Sequence, residues 1–168
     1  RGLEQDRSEA CVSHDAVVYA VHLGADGCCY SANVGGVILG SRDGKVVRIF
    51  GGQHSDWIEH LILSQAGLLY SCSYDKTICV WDTTTEEHVR TLVGQSDFVS
   101  ALAIVNNELL CSASEDATIW AWTLATHEHA RTLTGHASAA CTLTVAVRHE
   151  VFSGSSDRAV RVGAPGGG

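Results

Sequence analysis

One sequence pattern occurs four times along this chain of 168 residues. Each copy opens with His or Gln and later carries a Ser that directly follows an aromatic residue or Cys. The opening residues are His14, His54, Gln95 and His136. The hydroxyl residues are Ser31, Ser71, Ser112 and Ser153. Both series step by 40, 41 and 41 residues. Two landmarks that keep one register are typical of a repeat architecture such as a solenoid, a propeller or another array.

Short apolar runs between these landmarks predict β-strands, because they are rich in β-branched and aliphatic residues and are bounded by Gly, Asn, Asp or Ser. No stretch keeps a helical period, so we expect essentially no helix. Pro165, the single Pro, lies outside every run, as the hydrogen bonding of a sheet requires. The predicted strands are 17–23, 28–32, 37–40 and 46–50; 58–63, 68–73, 77–81 and 88–92; 98–105, 108–113, 117–122 and 129–133; and 140–147, 151–154 and 159–162.

The two best-preserved copies resemble the WD40 repeat, whose signature is a Gly-His pair, then strands, an Asp turn and a closing Trp-Asp. They read HSDWIEHLILSQAGLLYSCSYDKTICVWD at 54–82 and QSDFVSALAIVNNELLCSASEDATIWAWT at 95–123. The resemblance covers roughly residues 6–163 and implies an all-β fold, a β-propeller of four-stranded antiparallel blades. We expect about four WD40 blades that form part of a larger ring; a closed four-bladed ring is the alternative.

The expected repeats span approximately 14–52, 54–93, 95–134 and 136–163. Residues 8–12 precede the first repeat as 88–92 precede the third, so we expect 6–13 to form the outer strand of a neighbouring blade. The last repeat supplies three strands and lacks the fourth. Such an array leaves strand edges unpaired, and self-association through open blade edges is therefore expected.

His54, Ser71 and Asp75 invite comparison with a hydrolase triad, in which such a trio activates a nucleophile. The pattern recurs at the repeat spacing, however, and Gln95 stands where a base would be needed in the next copy. The resemblance instead implies a buried hydrogen-bonded tetrad in each blade, and we predict no catalytic residue. The tetrad residues are His54, Ser71, Asp75 and Trp81; Gln95, Ser112, Asp116 and Trp122; and His136, Ser153 and Asp157. Gly35 and Ser41 take the Asp and Trp places in the first copy, and Gly163 takes the Trp place in the last.

Net charge, apolar runs and cysteine content indicate which partners and metal sites the chain lacks and in which compartment it is located. The formal net charge is −8 and the basic residues are dispersed, which argues against a nucleic-acid partner. No run approaches the ~18 consecutive apolar residues of a membrane span, so we expect no membrane partner. The seven Cys are odd in number and contain no CxxC pair, which fits neither a disulfide framework nor a zinc site. Buried free thiols indicate a reducing compartment, cytoplasmic or nuclear. We expect no metal and no cofactor.

Function is therefore expected on the loops. The turns before the first strand and after the second lie on one face of a propeller, which by resemblance is the commonest docking surface of the family. Trp57, Tyr74, Phe98 and Glu115 occupy these turns and are the predicted partner-binding residues. Acidic neighbours suit a Lys- or Arg-containing peptide. The expected function is a non-catalytic scaffold for protein–protein interactions. The alternatives are an enzyme whose site lies in further blades, a structural subunit of a large assembly, and aromatic residues that simply pack between blades.

Overall fold

The computed structural model describes residues 12–146 and 149–165, which form strands and turns without any helix. The strands of blade 1 are β1 (Val18–Leu23), β2 (Cys29–Asn33), β3 (Ile38–Arg42) and β4 (Lys45–Phe50). Those of blade 2 are β5 (Ile58–Leu63), β6 (Leu68–Ser73), β7 (Ile78–Asp82) and β8 (His88–Leu92). Those of blade 3 are β9 (Val99–Val105), β10 (Leu109–Ser114), β11 (Ile119–Thr123) and β12 (His129–Leu133). Those of blade 4 are β13 (Ala140–Val145), β14 (Val151–Ser155) and β15 (Val160–Gly163).

Each blade is an antiparallel sheet in which neighbours in sequence are neighbours in space. Blades 1, 2 and 3 have four strands, and blade 4 has three among the described residues. The all-β fold expected from the sequence is confirmed. Residues 6–11 of the predicted outer strand at 6–13 lie outside the described residues, as does residue 147 at the end of the strand predicted at 140–147; Val12 and Ser13 are described and are not in a strand.

Several strand boundaries differ from the prediction by one or two residues, and one of these differences has a clear local reason. The third strand of blade 3 begins at Ile119, two residues later than expected, because Ala117 belongs to the preceding turn. Its φ is 69°, in the left-handed region, and Lys76 and Arg158 hold φ values of 71° and 70° at the same place in blades 2 and 4. Gly36 has φ 74° at this place in blade 1. One tight turn is thus repeated in every blade, whichever residue occupies it.

The blades stack through their first strands. β1 packs against β5, β5 against β9, and β9 against β13, whereas the described strands show no comparable packing of β13 on β1. The described blades therefore form an arc. Its two end faces expose apolar side chains: Val21 and Leu23 of blade 1, and Val160 and Val162 of blade 4. Exposed apolar faces of this kind are typical of surfaces that pack against another element.

The hydrophobic core consists of three layers, one between each pair of successive blades. Trp81 and Phe50 lie in the layer between blades 1 and 2, and Trp122 and Tyr70 lie in the layer between blades 2 and 3. The described members of the third layer are aliphatic side chains and Cys111, with no aromatic residue. The third layer is therefore built from smaller groups than the other two.

The cysteines within the described ranges are all free. Cys72, Cys79 and Cys111 are buried, as expected for small apolar side chains. Cys141 of β13 is exposed instead. The reason is a register shift between Ala140 and Thr142, which makes Cys141 the extra residue of a bulge. Across 12–146 and 149–165, no helix has the length and apolar character that crossing a membrane requires.

Candidate functional site

The tetrad of blade 2 is a closed hydrogen-bonded network. His54 Nδ1 lies 2.8 Å from Asp75 Oδ2, and His54 Nε2 lies 2.8 Å from Ser71 Oγ. The Trp81 indole N–H donates to the same Ser71 oxygen over 2.9 Å. Asp75 also accepts the backbone and hydroxyl groups of Thr77, which fixes the turn between β6 and β7. His54, Ser71 and Trp81 are buried, so no substrate reaches the Ser71 hydroxyl.

The protonation of this network also opposes catalysis. Burial disfavours a charged imidazole, but the hydrogen bond with Asp75 and the contact with Cys79 outweigh it and raise the pKa of His54 to about 9. Burial likewise disfavours the Asp75 carboxylate, but its hydrogen bonds with His54 and Thr77 lower its pKa to about 2. An imidazole that holds its proton at neutral pH cannot take one from a serine. The Ser71, His54 and Asp75 trio thus lacks the general base of a hydrolase.

Blade 3 uses the same positions differently. Ser112 Oγ donates to Gln95 Oε1 over 2.7 Å and accepts the Trp122 indole N–H over 2.9 Å. Gln95 Nε2 donates to the backbone carbonyl of Ser112. Asp116, expected to complete the tetrad, instead accepts the Ser96 amide and the Thr118 groups. The single side-chain nitrogen of Gln95 donates to the backbone carbonyls of Ser112 and Thr118 and not to Asp116, so the network divides into two parts.

The end blades keep part of the arrangement. In blade 4, His136 joins Asp157 over 2.9 Å and Ser153 over 2.8 Å, and backbone amides hold the pKa of Asp157 well below its usual range. In blade 1, His14 Nε2 lies 2.7 Å from Ser31 Oγ, while His14 Nδ1 has no partner among the described residues. Gly35 stands at the Asp place and has no side chain to offer that nitrogen.

Asn33 replaces the missing aspartate as the side chain that caps the turn between β2 and β3. Its Oδ1 accepts the backbone amides of Gly35 and Val37, both over 3.0 Å. Sequence comparison between the copies missed this role because Asn33 lies two residues before the aligned position. An Asn two residues before Gly-Gly is nevertheless a turn signal, since its side chain readily bonds the backbone two residues on.

The four predicted partner-binding residues lie close together on one face of the arc. Tyr74 donates its backbone amide to the Trp57 carbonyl over 3.0 Å, and Glu115 donates to the Phe98 carbonyl over 2.9 Å. These equivalent bonds place the turn after the second strand beside the segment before the first strand. The loops that carry the side chains are thereby fixed to the body of each blade.

Three of these side chains belong to a continuous stack of four rings, which we call the aromatic row: Tyr19, Trp57, Tyr74 and Phe98. Their successive centroids are 5.3, 5.4 and 4.5 Å apart, with interplanar angles of 22°, 24° and 1°. The row crosses blades 1, 2 and 3. Tyr19 and Trp57 remain 51% and 39% exposed, so these rings both bridge blades and face solvent. Sequence reasoning missed Tyr19, because it occupies the repeat position of Glu59 rather than that of Trp57.

A family model described as "WD domain, G-beta repeat" matches this chain at residues 44–82 and 86–123. These matches contain the intact tetrad of blade 2 and most of blade 3. The chain contains WD40 repeats at these two places. No curated protein matches this WD40 chain.

Solved structures share the architecture of this WD40 chain. The WD40 β-propeller domain of Doa1 is 26% identical with a TM-score of 0.82, over 89% of this chain and 51% of that one. The computationally designed Ika4 protein is 25% identical with a TM-score of 0.81, over 90% and 93%. U3-55K is 24% identical with a TM-score of 0.85, over 91% and 50%, a likeness of fold alone. The chain spans about half the length of the Doa1 and U3-55K chains.

Acidic residues border the aromatic row of this WD40 chain. Burial and the carboxylates of Glu59 and Glu115 together raise the pKa of the Tyr74 hydroxyl. Lys76 lies beside the row, with its Nζ 5.9 Å from the Phe98 ring centroid and 3.5 Å from Asp97 Oδ1. In the part of the chain that the structure describes, no three His, Cys, Asp or Glu side chains converge as metal ligands would.

Proposed function

We propose that this WD40 chain is a non-catalytic scaffold that binds segments of other proteins through its aromatic row. The observation that carries the proposal is the row itself, four stacked rings from three blades with two of them substantially exposed. Exposed aromatic side chains held in a rigid setting are the usual anchors of protein interfaces. WD40 propellers typically serve as interaction platforms, which agrees with this assignment.

Rigidity supports the assignment energetically. Each ring is fixed by its stacked neighbours, and the Trp57 and Phe98 segments are tied to the next turn by backbone hydrogen bonds. Binding then costs little additional side-chain ordering, which otherwise amounts to about 0.5–1.5 kcal/mol per immobilised side chain. The row therefore loses little affinity to side-chain ordering.

Charge favours partners that carry Lys or Arg. Asp56, Glu59 and Glu115 are acidic residues at or near the row, and the whole chain has a net charge of −8. Lys76 already lies over the Phe98 ring, so the row accepts a cation within the chain itself. We accordingly propose basic peptides as partners and assign no role to nucleic acid or membranes. Free cysteines among the described residues support a cytoplasmic or nuclear location.

A second candidate is a structural role inside an assembly, including self-association of open blade edges. Apolar side chains on both end faces of the arc favour it: Leu23 is 74% exposed in blade 1, and Val160 is 72% exposed in blade 4. Such faces match the surfaces that successive blades bury against one another. Catalysis by this chain has no comparable observation in its favour.

Peptide arrays test the first candidate. Arg- and Lys-containing peptides, each paired with a counterpart in which Glu replaces the basic residue, are probed with the wild-type chain, Trp57→Ala and Tyr74→Ala. We expect basic peptides to be preferred and both variants to bind them at least about tenfold more weakly, as for hot-spot residues. Val89→Ala, an exposed change on β8 away from the row, is the matched control. Undiminished binding by both aromatic variants would refute the proposal.

A further inference from the structure

One indole ring fills the space between blades 1 and 2, and another fills the space between blades 2 and 3. Between blades 1 and 2 this is Trp81, which pairs with Leu69 across the strands and lies 5.8 Å from Phe50 of blade 1. Between blades 2 and 3 it is Trp122, which pairs with Leu110 and packs in the cluster that contains blade 2 side chains. The chain thus shows twice which group fits such a space.

The third space has the same walls without the indole. Gly163 pairs with Val151 in the register that Trp81 and Trp122 occupy in their own blades. The cavity there has a volume of about 550 Å³ and is lined by Ile119, Leu133, Val151, Ser153 and Gly163, among others. This volume lies within the range of roughly 300–1,000 Å³ in which small-molecule sites are found.

The floor of this cavity carries a hydrogen-bond acceptor. Ser153 is 2% exposed, and its Oγ lies 2.8 Å from His136 Nε2. The equivalent oxygens of Ser71 and Ser112 each accept an indole N–H over 2.9 Å in addition to their bond with the opening residue. A hydroxyl oxygen has two lone pairs. Within the described ranges, His136 Nε2 is the one side-chain nitrogen within hydrogen-bond distance of Ser153 Oγ, so a lone pair of this oxygen remains available to accept an N–H from a ligand.

A cation stands at the mouth of the cavity. Arg161 pairs with Ser153 in the position that Cys79 and Trp120 occupy in blades 2 and 3. Its guanidinium lies beside Gly135, and the described residues offer it no ion pair. An exposed guanidinium binds a carboxylate readily through two parallel hydrogen bonds.

We propose that the cavity between blades 3 and 4 is a binding site for a planar aromatic N–H donor of the size of an indole that carries a carboxylate. The ring fills the space that Trp81 and Trp122 fill elsewhere, its N–H donates to Ser153 Oγ, and its carboxylate meets Arg161. The site shares no residue with the aromatic row, and neither proposal depends on the other.

Isothermal titration of the full chain with indole-3-propionate tests the site. We expect a dissociation constant on the order of 1 mM or tighter, as for a small ligand of this size. Naphthalene-2-propionate keeps the shape and charge but lacks the N–H, and it should bind about three- to tenfold more weakly, the worth of one hydrogen bond. Indole without the carboxylate should be weakened by a similar factor. Equal affinities for the indole and naphthalene acids, or no binding of either, would overturn the proposal.

Three variants separate the parts of the site. Gly163→Trp places an indole in the cavity, so it should abolish binding and raise the melting temperature. Ser153→Ala should remove the preference for indole over naphthalene. Arg161→Gln, an exposed change that leaves the fold intact, should weaken indole-3-propionate about tenfold and leave indole unchanged. If Gly163→Trp fails to fold by circular dichroism, the Arg161→Gln result decides. Val89→Ala is the control, and a Gly163→Trp variant that folds and still binds would contradict the assignment.

Discussion

Trp81→Ala should remove more stability than any other single truncation of an indole in this chain. The Trp81 side chain is 2% exposed, donates to Ser71 Oγ over 2.9 Å, and meets the rings of Phe50 and His88 edge-on at 5.8 and 5.4 Å. It therefore joins two blades and completes a buried polar network at once. Both contributions disappear in the alanine variant.

The expected magnitude follows from these contacts. Truncation of a buried Trp to Ala costs about 3–5 kcal/mol through lost burial and the cavity left behind. The lost hydrogen bond contributes roughly 1 kcal/mol of this range. Trp81→Phe keeps much of the packing against Phe50 and loses the N–H, so it should cost about 1–2 kcal/mol. Because a domain of this kind is stable by about 5–15 kcal/mol, Trp81→Ala should shift unfolding to a much lower denaturant concentration.

Urea denaturation followed by far-ultraviolet circular dichroism measures the loss without relying on the fluorescence of the substituted residue. The matched control is Val89→Ala, because Val89 is 49% exposed on the outer strand β8; it should cost less than about 1 kcal/mol. A loss below about 1 kcal/mol for Trp81→Ala would refute the buried, blade-joining role of this indole. So would a Trp81→Phe variant as unstable as the alanine variant, because packing would then count for nothing.

Two further predictions concern the polar network. The pKa of His54 is raised from 6.5 to about 9 in the folded state. Protonation of His54 therefore stabilises the fold fully below pH 6.5, by up to roughly 3 kcal/mol. This contribution is lost as the pH rises through about 9. In the His54→Gln variant, which copies Gln95, the free energy of unfolding should not show this fall between pH 6 and 10. Urea denaturation at each pH measures it. Parallel curves of the free energy of unfolding against pH for both proteins would show that His54 is not the titrating group. Asp75→Ala should lower the melting temperature more than Asp157→Ala. The reason is that Asp75 belongs to an inner four-stranded blade with a complete tetrad, whereas Asp157 belongs to the three-stranded end of the arc. Equal shifts in melting temperature would contradict this ranking.

Much of the fold was predictable because it is local and periodic. Alternating apolar runs and turn residues at fixed intervals specify where strands begin and end. The tetrad of blade 2 was also predictable, since His54, Ser71, Asp75 and Trp81 recur at positions that a four-stranded meander brings together. In these cases the contacts depend on the register within one blade.

The remaining features depend on contacts that the periodic pattern does not encode. Asp116 left the expected tetrad because Gln95 bonds backbone carbonyls instead. Cys141 became exposed through a bulge, which depends on how β13 meets β14. Tyr19 joined the aromatic row although its repeat position holds Glu59 in the next blade. Each case involves hydrogen-bond competition or a neighbour that sequence alignment between the copies does not identify.

The sequence by itself determined the repeat length, the antiparallel blades and the buried polar landmarks, because side-chain alternation and turn chemistry act within about forty residues. The tertiary structure alone decided how side chains from different blades meet. It placed four rings in one stack and left a cavity beside Gly163 where Trp81 and Trp122 fill the earlier spaces. The physical reason is that these features depend on the distance and angle between stacked sheets, which the packing of the whole core sets.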